Sequence, residues 1–140
     1  MRRVIILAPL LFLPVIAYSL VAVWGGKAAD QLQSALFGLP MISGGKWVFT
    51  LGDLILFIGL ACLFVEIVKS ASSKAGAMVN HALSMLLLVF CLIAFLLFPG
   101  FSTSVFFLLM IMALLDVMAG PVISIVAARR DFGVGENIIQ

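Results

Sequence analysis

VFFLLMIMALLDVMAGPVISIVAA, residues 105–128, holds one ionisable side chain, Asp116, and is otherwise almost continuously apolar. About 20 predominantly apolar residues are what a helix needs to cross a hydrocarbon core some 30 Å thick. This run meets that length, so its solvent is a bilayer. Inside a bilayer every backbone N–H and C=O must be satisfied within the segment, which makes the run a helix. Asp116 then lies about 18 Å from Ala128 at the usual 1.5 Å rise per residue. A charged carboxylate at such depth costs on the order of 3 kcal/mol or more to insert. It is therefore the first functional pointer in the chain.

The rest of the sequence repeats this pattern. Of 140 residues, 65% are hydrophobic and only 10% are charged, more apolar surface than a small soluble domain can bury. Further apolar runs cover residues 4–24, 53–68 and 81–98, the second short enough to draw on Trp47 to Leu51 as well. A cleaved signal peptide is the rival reading for the first run. Its spanning length and the absence of a small-x-small cleavage site before Lys27 favour an uncleaved span. The expected fold is all-α and integral to the membrane: a four-transmembrane-helix bundle over residues 1–128 with a short tail, 129–140. Arg2, Arg3, Lys69, Lys74, Arg129 and Arg130 fall on one side of such a bundle, Lys27 and Lys46 on the other. The excess of basic residues marks the cytoplasmic side. Both termini are thus expected there, and the bacterial inner membrane is the expected location.

The loops differ in kind. Phe98-Pro99-Gly100-Phe101 reads as a tight turn joining the last two spans. The outer loop, residues 25–52, contains two apolar, β-prone segments around Ser43-Gly44-Gly45, which reads as a small β-hairpin. The rival is a short interfacial helix from Ala28 to Phe37 followed by coil. A lone hairpin is marginal in water, so this one should rest on the bundle or on a partner. Thr50 or Asp53 should cap the helix that follows.

Polar and small residues fall on single helix faces at i, i+3, i+4 steps: Ala113, Asp116, Gly120, Ser124 and Ala127 on the last span, Asn80, Ser84, Cys91 and Ala94 on the third, and, more loosely, Gly52, Gly59, Cys62 and Glu66 on the second. Such stripes let membrane helices approach closely, either within one bundle or against another subunit. The rise along the first span places Tyr18 and Ser19 at the level of Asp116, as expected hydrogen-bond partners. With no basic residue expected at that depth, Asp116 should be neutral and donate a hydrogen bond. Pro14 and Pro121 should free the carbonyls of Leu10 and Val117, with a kink near Gly120. A second cluster, Glu66, Asn80, His81 and Ser84, gathers at the inner rim with Lys69, Arg129 and Arg130. It reads as a ring of anchors and ion pairs, or as a site for a lipid head group or a quinone.

Most chemistry is excluded by residue count and spacing. His81 is the single histidine, so bis-histidine haem ligation within one chain is impossible. No CxxC, HExxH or Gly-rich phosphate loop occurs, and Cys62 and Cys91 lie in apolar runs without metal-ligand spacing. No metal, cofactor or nucleic acid is expected. In span number and size the chain resembles the small multidrug resistance transporters. Those carry their essential acidic residue in the first helix, and this first helix has none, so their function is not carried over. The expected function is that of a non-catalytic accessory or assembly subunit, with the bilayer and other membrane subunits, or copies of itself, as partners. A small oligomeric proton-coupled transporter or channel using Asp116 is the alternative, and lipid or quinone binding at the inner rim a third.

Overall fold

The structure, a computed structural model, describes residues 9–24, 28–72 and 77–135. Its elements in chain order are helix α1 (Phe12–Trp24), a single helical turn α2 (Ala28–Leu32), strands β1 (Ala35–Pro40) and β2 (Lys46–Thr50), helix α3 (Leu51–Ser72), helix α4 (Ala77–Leu97), a 3-10 turn (Pro99–Phe101) and helix α5 (Ser104–Gly135). Three helices among the described residues are long and apolar enough to cross a membrane, through Leu51–Ser70, Val79–Leu97 and Ser104–Val122. The chain is thus mostly helical, with a small two-stranded antiparallel sheet, and has the make-up of a multi-pass membrane protein.

The first span departs from expectation. Helix α1 has 13 residues, about 20 Å of rise against a core of about 30 Å; residues 4–8 of the expected span lie outside the described residues. Because α1 begins at Phe12, Pro14 sits in its first turn, where a missing N–H costs nothing. The Leu10 carbonyl is not left open either: it accepts the Leu13 N–H at 3.0 Å. Helix α5, by contrast, carries Pro121 in its interior and runs on to Gly135.

The hairpin forms where the two β-prone segments lie. Phe37 pairs with Phe49, Gly38 with Val48, Leu39 with Trp47 and Pro40 with Lys46, with a bulge between Ala35 and Phe37. Its turn closes through Met41 N–H to the Gly45 carbonyl at 2.8 Å, and Gly44 supplies the left-handed residue at φ 83°. The rival reading, a helix from Ala28 to Phe37 followed by coil, is not met: the helical turn ends at Leu32 and strand begins at Ala35. Helix α3 does not reach back through Trp47 to Thr50, because those residues are strand. It gains its length forward, to Ser72. Thr50 is its N-cap: its hydroxyl accepts the Asp53 N–H at 3.2 Å, and Asp53 Oδ2 in return accepts the Thr50 N–H at 2.9 Å and the Thr50 hydroxyl at 2.8 Å. This reciprocal pairing is a capping box.

Helix α5 is the centre of the bundle, packed on both α3 and α4, while α1 lies mainly on α3. Glycine makes the close approaches. A Cβ at Gly59 would meet Leu109 and Met112 at 3.0 Å, and one at Gly120 would meet His81 Nδ1 at 3.0 Å. The small-residue stripes turn inward: Ser84, Cys91, Ala94, Ala113 and Asp116 are all buried. The outward faces carry large apolar side chains such as Phe57, Phe64, Leu96 and Met118, as a lipid-facing surface does.

Candidate functional site

Measured along each helix from the hairpin end at about 1.5 Å per residue, Asp116 and Ser84 lie at a depth of about 18–20 Å, while Glu66, Asn80 and the Leu10 N–H lie at about 21–25 Å. These residues form two polar layers, stacked one helical turn apart on the Asn80–Ser84 face of α4.

In the deeper layer Glu66 has no exposed surface. Lys69 Nζ donates to its Oε1 at 3.1 Å and to its Oε2 at 3.4 Å, Asn80 Nδ2 donates to Oε1, and the Leu10 N–H donates to Oε2 at 3.1 Å. Lys69 also donates to Asn80 Oδ1 at 3.2 Å, closing a ring between α3 and α4. A buried ion pair is tolerated only when its remaining lone pairs and protons are answered, and here they are. The Leu10 bond adds a third element. It sets the carboxylate at the start of α1, where the helix dipole favours negative charge. The three-residue spacing of Glu66 and Lys69 puts the two on one face of α3.

In the shallower layer the Ser84 hydroxyl bonds Asp116 Oδ2 at 2.5 Å, joining α4 to α5 in a fully packed setting. The expected partners of Asp116 are corrected. The Tyr18 hydroxyl donates to the Gly100 carbonyl at 3.0 Å and pairs with Thr103 Oγ1, at the hairpin end of the bundle. The Ser19 hydroxyl donates to the Val15 carbonyl of its own helix at 2.7 Å. The reason is the late start of α1: Leu10 lies at the Glu66 level, so Tyr18 stands about 12 Å nearer the hairpin end. A further correction concerns charge. His81 packs against α5 at Gly120, one helical turn from Asp116, so the carboxyl is not remote from every basic side chain.

Leu10 N–H and Thr103 were missed by sequence reasoning. Thr103 had a signal, since Ser102-Thr103-Ser104 precedes an apolar run; its hydroxyl accepts the Phe106 N–H at 3.2 Å as the α5 cap. The Tyr18 ring, fully buried, lies tilted against both Phe101 and Phe106 at centroid distances of 5.7 and 4.8 Å. A side-chain contact to a backbone N–H 56 residues away has no sequence signal.

Among the described residues, every buried side-chain nitrogen and oxygen has a hydrogen-bond partner, and no group of three or more His, Cys, Asp or Glu could hold a metal ion. The side chains of Arg129 and Arg130, the remaining members of the expected rim, lie outside the described residues. What the arrangement does chemically is hold four helices: Glu66 fastens α1 and α4 to α3, and Asp116 fastens α4 to α5. Compared with known proteins, the chain matches no family model, no curated protein and no solved structure.

Proposed function

We propose that this protein is a non-catalytic multi-pass membrane protein, an accessory or assembly subunit of a larger membrane complex. The observation that carries the reading is the length of α5. Its 32 residues give about 48 Å of helix, where about 30 Å suffices to cross the core. Counted from Ser104, that thickness is used up near Ser124. At the same level α3 ends at Ser72 and α4 begins at Ala77. Residues 124–135 therefore run past both neighbours. A short helical extension containing Gly133 and Gly135 is marginal by itself in water, and a partner surface would stabilise it.

In this reading four spans leave both termini on the cytoplasmic side, where six of the eight Lys and Arg residues fall. The polar layers support it too, because their carboxylates are committed to joining helices. The test is gentle extraction of the full chain and of a chain ending at Ser124. The full chain is expected to co-purify with a larger stoichiometric partner and the shortened chain to lose it. Recovery of the full chain as a lone monomer in native lipid particles would contradict the reading.

One observation favours a second reading, a small proton-coupled transporter: Asp116 is buried in a membrane-crossing segment, and His81 packs against Gly120 one turn along the same helix. That reading expects Asp116→Asn to abolish flux in proteoliposomes, and unchanged flux would remove Asp116 from any such mechanism.

A further inference from the structure

Residues 35–50 contain one charged side chain, Lys46, and no acidic one. Successive strand residues point to opposite faces, so the register sets Phe37, Leu39, Trp47 and Phe49 on one face and Gly38, Val48 and Lys46 on the other. The first face is a cluster of rings: Phe37 stacks on Phe49 at 4.8 Å, and Trp47 stands edge-on to both, at 6.5 Å from Phe37 and 5.7 Å from Phe49. The cluster is not covered by the bundle. Phe37 is 49% exposed, Leu39 47% and Trp47 45%, and Ile42 at the turn is fully exposed. On the second face the stem of Lys46 lies across Gly38, where an added Cβ would come within 2.7 Å of Lys46 Cε.

Depth follows from continuity. Strand β2 passes without a linker into α3, whose first residue opens a membrane-crossing segment. A two-stranded sheet leaves the backbone groups of its outer edges unpaired, so it cannot sit in hydrocarbon. A hairpin with an uncovered aromatic face is equally poor in water. The head-group layer satisfies both demands, and Trp there, with Lys stems reaching to the surface, is the usual composition.

We infer that the β1–β2 hairpin is an interfacial membrane anchor, lying with its Phe37–Leu39–Trp47 face on the acyl-chain boundary and Lys46 among the lipid phosphates. The partner is the lipid surface, and the inference does not rest on the subunit reading.

The test uses the full chain reconstituted in vesicles of phosphatidylcholine and phosphatidylglycerol. The chain has two tryptophans, and Trp24 is 85% exposed, so Trp24→Phe leaves Trp47 as the sole reporter without touching the core. Bromine placed on the acyl chains near the head group should quench Trp47 severalfold more than bromine at the bilayer centre, and acrylamide should quench it weakly. Strong acrylamide quenching without bromolipid quenching would put the hairpin in water and overturn the inference. Protection from both quenchers would place it against protein, the bundle or a partner strand, and would overturn it as well. Ile42→Trp in a chain with both native tryptophans replaced by Phe gives an independent reading at the turn, where the same head-group-weighted quenching is expected.

Discussion

Glu66 shows what a buried carboxylate needs inside an apolar helix: four contacts from Lys69, Asn80 and the Leu10 N–H leave it neither exposed nor short of donors. Glu66→Ala removes the acceptor of all of them and leaves Lys69, 25% exposed, with Asn80 Oδ1 alone, so a stability loss of about 1–3 kcal/mol is expected, read as a lower midpoint of thermal or detergent unfolding. Asp116 should behave differently. Asn can still accept from Ser84, so Asp116→Asn should cost under about 1 kcal/mol, whereas Asp116→Ala should cost about 1–2 kcal/mol, the range of intramembrane hydrogen bonds. Equal losses for both substitutions would mean that charge rather than hydrogen bonding holds α4 to α5. Asp116 was legible in the sequence as an anomaly, and Glu66 as a neighbour of Lys69. Their partners were legible only where spacing on one helix set them. Depth counted from residue 3 paired Asp116 with Tyr18, because nothing in an almost wholly apolar run reveals that the helix starts at Phe12.

At the scale of elements, caps and turns were the most readable features. Ser43-Gly44-Gly45 between β-prone segments announced the hairpin, and Thr50 with Asp53 announced the start of α3. Lengths were less readable, since an apolar helix circumference carries little periodicity from which to place an end. Helix α3 gained residues forward through Lys69 to Ser72, and α5 continued past Ala128 through Arg129 and Arg130, because a helix need not stop where its apolar run does. Packing between elements makes a sharp prediction at Gly59. With Leu109 and Met112 already at 3.0 Å from a Cβ there, Gly59→Leu must push α3 off α5. The expected cost is about 1–3 kcal/mol, seen as a lower unfolding midpoint and faster proteolysis of the loop between α3 and α4. For the α5 extension the expectation is opposite. Ending the chain at Ser124 should leave the unfolding midpoint of the isolated bundle unchanged, because by helical rise residues 124–135 lie beyond the levels at which α3 ends and α4 begins.

The molecule as a whole is a bundle centred on α5, with its polar groups spent on internal fastening and unusual features at both ends. The hairpin offers an uncovered aromatic face at one end, and the helical extension offers surplus length at the other. Class followed from composition and run length, while three of the four expected spans have a helix of crossing length among the described residues. Which polar groups meet did not, because that depends on the relative rotation and depth of helices whose outward faces are all apolar. The central claim is that the extension serves a partner. It is tested most directly by native mass spectrometry of the full chain released from its own membrane in lipid particles. The account predicts a stoichiometric assembly with a larger membrane protein, lost when the chain ends at Ser124. A bare monomer of 15.0 kDa as the dominant species would contradict it.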